Sequence, residues 1–256
     1  MEKLQAALSR AREKRETESG GSHRPGQTVR ERSRKLIQSD AMSARWSEIP
    51  MMEPSADRMR DARIYSNEVS SEAQHFDILR TKLFLETTTS CNLIAGLARQ
   101  PESKGILFDM DFRRPAVAKN FSVKPEHSLE KVFLGEVEFA EQAMRLSENT
   151  AISMTNGAVH DPARVILRSN TAEVLDQIQS FYKPELMLFD MPPVLVSDET
   201  RGFLKLVDAV LILASAESST VAQIDEVERE ISQYSNVAGI VLNECRYLDD
   251  GYGYAY

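Results

Sequence analysis

Four short, almost unbroken apolar runs constrain this chain more than any other feature: Ile106–Phe108, Leu186–Phe189, Ala209–Ala214 and Val237–Leu242. Strands of this kind are buried on both faces, and here they alternate with helical stretches. The pattern predicts an α/β fold with a doubly wound, mostly parallel sheet and helices on both sides.

Two of the runs end in acids. Ile106-Leu-Phe-Asp109 passes into Met-Asp-Phe-Arg-Arg-Pro115, and Leu186-Met-Leu-Phe-Asp190 passes into Met-Pro-Pro193, followed by Ser197-Asp198. In an open parallel sheet ligands bind at the carboxyl ends of the strands, so Asp109, Asp111 and Asp190 can face one ligand there. Close carboxylates raise each other's pKa unless a cation lies between them, which makes a hydrated Mg²⁺ the natural third member. Arg113 and Arg114 suit an anion such as a phosphate or a partner's carboxylate. A lone Asp-x-Asp reads equally as a solvated turn. The second acid-ended strand makes the pair specific.

Charge is unevenly spread over the 256 residues. Up to Arg45, eleven Lys/Arg against six acids give a formal +5, which leaves −13 on the rest of a −8 chain. That balance argues against a nucleic-acid binder overall and suggests contact of the basic head with an anionic surface or acidic partner, a solvated charged helix being the plainer alternative. Two distant cysteines, Cys91 and Cys245, and four scattered histidines form no metal-ligand spacing and fit a reducing cytosol. No apolar run approaches the 18 or so residues of a spanning helix.

Three regions follow. Residues 1–65 read as a basic arm with little core of its own: an amphipathic helix at 2–16, a Gly/Ser linker at 19–26, a basic helical piece at 29–38 and a Met- and Pro-containing connection. Residues 66–246 form the α/β domain. Helices are predicted at 70–84, 85–99, 129–135, 139–146, 161–167, 171–182 and 221–233, with a strand at 151–154. The last ten residues, 247–256, hold four of seven tyrosines among glycines and acids and read as a disordered tail.

Ile106-Leu-Phe-Asp-Met-Asp-Phe-Arg-Arg-Pro115 resembles the second nucleotide motif (Walker A′) of bacterial protein-tyrosine kinases, and Leu186-Met-Leu-Phe-Asp-Met-Pro-Pro-Val194 resembles their Walker B strand. Gly239-Ile-Val-Leu-Asn243 and the tyrosine tail follow in that family's order. The resemblance implies a P-loop ATPase fold of the MinD and ParA group and a cytoplasmic autokinase of capsule or exopolysaccharide export. It implies ATP and Mg²⁺ as cofactors, with Asp109, Asp111 and Asp190 as catalytic residues. Thr87 joins the three acids on the metal. Thr87, Thr88, Arg113 and Asn243 contact the nucleotide, and Tyr247, Tyr252, Tyr254 and Tyr256 accept phosphate. A membrane polysaccharide co-polymerase is the implied activating partner, placing the chain at the inner face of the plasma membrane, with homo-oligomers possible.

This sequence departs from the family at the glycine-rich phosphate loop. Thr87-Thr-Thr-Ser-Cys-Asn92 matches the end of that motif, but Leu85 and Glu86 stand where glycine and lysine belong. The preceding strand and loop are missing as a block. The assembly motif Glu-x-x-Arg-x-x-Arg is reduced to Gln74, Asp77 and Arg80. An autokinase impaired by the missing loop, a non-catalytic partner or phosphorylation substrate in polysaccharide assembly, and a MinD/ParA-type ATPase are the readings open at this point.

Overall fold

The computed structural model describes residues 43–62, 64, 86–216 and 218–243. The helices expected at 2–16, 29–38 and 70–84, and the tail at 247–256, lie outside these residues. In chain order the elements begin with α1 (Ala56–Asp61), α2 (Glu86–Ala98), β1 (Gly105–Asp109), α3 (Val117–Phe121), α4 (Glu130–Leu134) and α5 (Phe139–Gln142). Then come β2 (Met144–Arg145), β3 (Thr150–Ser153), α6 (Pro162–Ile166), α7 (Thr171–Tyr182), β4 (Leu186–Asp190) and α8 (Asp198–Phe203). The last are β5 (Ala209–Ser215), α9 (Val221–Ile231) and β6 (Asn236–Asn243).

Four strands form one sheet in the order β2-β3-β1-β4. β1 runs parallel to both neighbours, and β2 is a short antiparallel edge. Because strand side chains alternate between faces, β1 feeds two cores. Ile106 and Phe108 pack with side chains of α4 to α8, including Phe133, Phe139, Leu175, Tyr182 and Phe203. Leu107 packs on the opposite face with Met59, Cys91, Ile94 and Phe121 of α1, α2 and α3. Helices therefore cover both faces, as the apolar runs predicted.

β5 and β6 pair in parallel as a second sheet. α9 opens with a capping box between Thr220 and Gln223 and packs Val227 and Ile231 against Val210, Ile212 and Val237. β4 and β5 both have the composition of central strands, yet among the described residues each pairs on one side only. The consequence shows in burial. All five residues of β1 are buried, whereas β4 is half-exposed along most of its length, Leu186 reaching 41%. Edge strands this apolar are unusual in a soluble sheet.

The N-terminal region contributes more core than its composition predicted. From residue 43 onward, Trp46 and Ile49 enter the first core, and Met52, Met59 and Ile64 the second. The Trp46 indole donates to the Tyr182 carbonyl at 2.9 Å and meets the Tyr182 ring edge-on, while Arg45 donates to the Phe181 carbonyl. Further along, Met52 N donates to the Arg145 carbonyl and Arg145 N to that of Pro50. This pairing draws Met144 and Arg145 into β2, so the helix expected over 139–146 stops at Gln142. The backbone partner lies about a hundred residues upstream, beyond the reach of any local periodicity.

Asn149, 5% exposed, holds the turn between α2 and β1: its side-chain amide contacts the carbonyls of Leu97, Gln100 and Ser103, and its own carbonyl accepts from Gly105 N. Asn149→Ala would leave these buried acceptors without their donor and is expected to cost about 1–3 kcal/mol. Urea denaturation followed by circular dichroism measures it; a loss under 0.5 kcal/mol, the usual range for a surface substitution, would show that water replaces the amide.

Candidate functional site

β1 and β4 are paired residue for residue, so Phe108 lies beside Phe189 and Asp109 beside Asp190. The two phenyl rings stack at 5.1 Å, and Phe189 meets Phe203 of α8 edge-on. This aromatic platform fixes the strand ends directly below the acids. Above it, Met110 N donates to the Asp190 carbonyl and the Thr155 hydroxyl to that of Asp109, both within 2.9 Å.

The carboxylates are buried, Asp109 fully and Asp190 to 8% exposure. Ser90, in the second turn of α2, donates to Asp190 Oδ1 at 2.8 Å. Neither carboxylate oxygen of Asp109 closes a hydrogen bond. Burial and then the Asp190 charge push its pKa up to about 8, only partly offset by the nearby amides of Thr155 and Val117. Cys91, beneath the pair, has its thiol pushed up by burial and by Asp190, which makes it an inert core thiol.

A buried carboxyl with open acceptors beside a second one suits a cation. Mg²⁺ characteristically takes one or two carboxylates and keeps several waters, so Asp109 and Asp190 fit it. Asp111 does not converge with them as the sequence suggested. Its Oδ1 accepts from the backbone N–H of Arg113 and Arg114, at 3.2 and 2.9 Å, and so folds back on its own loop. Among the described residues no three His, Cys, Asp or Glu side chains group to hold a metal.

Arg113 is also directed elsewhere. It forks onto Glu199 in the first turn of α8, with Nε to Oε1 at 2.6 Å and Nη2 to Oε2 at 3.2 Å. The hydrogen bond from Arg113 holds the Glu199 carboxyl below its ordinary pKa. Arg114 is exposed. Thr87 and Thr88 lie in the first turn of α2, at the acid end of the sheet, and Glu86 opens that helix. An acid suits a helix N-terminus but opposes an anion there. Asn243 closes β6, is buried, and accepts from Ala216 N. Tyr247, Tyr252, Tyr254 and Tyr256 lie outside the described residues.

No family model matches the chain. Relatives do. AmsA of Erwinia amylovora, named as a tyrosine-protein kinase, is 24% identical over 170 residues, covering 65% of this chain and 23% of AmsA. EpsB of Ralstonia solanacearum, named likewise, is 32% identical over 97 residues, 37% of this chain and 12% of EpsB. The kinase domain of the Escherichia coli tyrosine kinase ETK superposes with a TM-score of 0.57 at 19% identity, over 72% of this chain and 76% of that domain. This chain is related to the bacterial tyrosine-protein kinases. It spans under a quarter of the length of either curated relative.

Sequence reasoning missed Ser90 and Glu199. Ser90 had a signal, since it lies one turn into a helix whose start was recognised. Glu199 had none, being one acid in an ordinary Ser-Asp-Glu-Thr helix start 86 residues from its arginine.

Proposed function

We propose that this chain is a nucleotide-site domain of the tyrosine-kinase type, acting in exopolysaccharide or capsule export and impaired in phosphoryl transfer. The in-register Asp109–Asp190 pair at the carboxyl edge of the sheet carries the reading. Asp109 and Asp190 hold hydrated Mg²⁺, Ser90 orients Asp190, and Thr87, Thr88 and Asn243 face the nucleotide. Bound Mg²⁺ supplies the positive charge that draws phosphate oxygens to the acids. The tail tyrosines Tyr247, Tyr252, Tyr254 and Tyr256 are the phosphate acceptors, and a membrane polysaccharide co-polymerase is the partner, met at the inner membrane face. No helix among the described residues is long and apolar enough to cross a membrane.

Impairment follows from Glu86 at the opening of α2. In this fold backbone amides and a lysine wrap the phosphates at that place, and an acid there repels them. The same observation favours a second reading, a non-catalytic partner or phosphorylation substrate.

Calorimetry and phosphotyrosine detection test the proposal on the full chain. Mg-ATP is expected to bind in the millimolar range, about −4 kcal/mol, and Asp109→Asn should remove its Mg²⁺ dependence. Incubated alone with Mg-ATP, the tail should stay unmodified, and an active kinase of the family should phosphorylate it. Micromolar binding with autophosphorylation would overturn the impairment. Absence of any Mg²⁺ effect would overturn the site itself.

A further inference from the structure

In the loop after β1, two backbone amides and an arginine side chain all meet carboxylates. Two consecutive backbone amides, those of Arg113 and Arg114, point at a single acceptor, Asp111 Oδ1. The third donor, the Arg113 guanidinium, is taken in both its Nε and Nη2 positions by Glu199. Glu199 is 1% exposed and Arg113 is 55% exposed, so the acid is the fixed partner and the arginine the one that can leave. Ser197 caps α8 by accepting from Thr200 N, which pins the first turn carrying Glu199. Asp111 and Asp161 add further negative charge around the guanidinium. A paired bidentate arginine has its charge and its geometry both spent.

We infer that Glu199 is a built-in competitor for phosphate-class anions, holding Arg113 away from a ligand that the exit loop of β1 would otherwise bind. The inference rests on the nucleotide reading of the site and names a contact that regulates it. Release of Arg113, rather than rearrangement of the sheet, is the step that raises anion affinity. The guanidinium is exposed enough to swing without disturbing the core, and the amides of Arg113 and Arg114 can exchange Asp111 for a phosphate oxygen.

Calorimetry on the full chain, with Mg-ATP in one arm and inorganic phosphate in the other, tests this in wild type, Glu199→Gln, Arg113→Ala and the double variant. Loss of one charge-assisted contact is expected to tighten anion binding by about fivefold or more in Glu199→Gln, and adding Arg113→Ala should remove that gain. Because a glutamine can still engage the arginine through its amide oxygen, Glu199→Ala is measured alongside, with folding checked by circular dichroism. A gain in either folded variant supports the inference. Unchanged affinity in both overturns it, and so does a gain that survives Arg113→Ala. If Mg-ATP binds to none of the variants while phosphate shows the Arg113-dependent gain, the nucleotide reading fails and the competitor role of Glu199 stands. Silence in the phosphate arm as well overturns both.

Discussion

Trp46→Ala is expected to destabilise the domain by about 3–5 kcal/mol, the range for emptying a large buried aromatic site. The indole is 1% exposed and fills the first core beside Tyr182, Ile49 and Ile106. Its removal also strips the Tyr182 carbonyl of its donor, which adds roughly 1 kcal/mol. Against a total stability of about 5–15 kcal/mol, this single change leaves a large fraction of molecules unfolded on warming. Trp46→Phe keeps much of the packing but loses the hydrogen bond, and should cost about half as much or less. Trp46 is the chain's one tryptophan, so its fluorescence in the wild type reports directly whether the segment from residue 43 is docked. Urea titration by circular dichroism compares the variants. A loss below about 1 kcal/mol for Trp46→Ala would mean that the segment packs on the surface and is not part of the core.

The second large effect is on pH. Asp109 has a folded pKa of about 8, against roughly 3.9 for an unperturbed aspartate. The folded state therefore keeps its proton between about pH 4 and 8 while the unfolded chain releases it, so stability falls as pH rises through this window. The stabilising contribution is full below the unfolded pKa and gone above the folded one. The slope approaches 1.4 kcal/mol per pH unit and totals on the order of a few kcal/mol. Asp109→Asn removes the titrating group. In EDTA, its urea midpoint should match the wild type below about pH 4 and exceed it clearly at pH 8. Added Mg²⁺ should close the gap by stabilising the ionised wild type and should leave the variant unmoved. Parallel pH profiles for the two proteins would refute the buried-acid account.

Both effects arise from burial, yet only one was readable beforehand. Asp109 and Asp190 could be paired from sequence because each closes a run too apolar to be anything but a covered parallel strand. The runs at 106–108 and 186–189 became β1 and β4 nearly residue for residue, and the helix expected at 171–182 matches α7. Local signals also placed α6, where Asp161 accepts from Arg164 N and Pro162 starts the first turn. Trp46 gave no comparable signal, since an indole in a polar arm becomes core only if a carbonyl and a ring wait for it, here 136 residues away.

The charged residues divide in the same way. That Arg113 would seek an anion follows from the chemistry of the guanidinium. That its partner would be Glu199 depends on α8 being folded over the end of β4. Asp111 likewise had the right chemistry for a metal, but the short turn after β1 offered it two amides nearer than any ion.

The sequence by itself determined the layered α/β architecture and the two acids meeting at the end of the sheet. These depend on periodicity, composition and adjacency, all of which are local in the chain. Only the tertiary structure decided that Trp46, Ile49, Met52, Met59 and Ile64 belong to the core, that Arg113 pairs with Glu199, and that β4 and β5 each pair on one side only among the described residues. Each of these depends on contacts between residues far apart in sequence, where backbone pairing and burial override what the neighbours along the chain prefer.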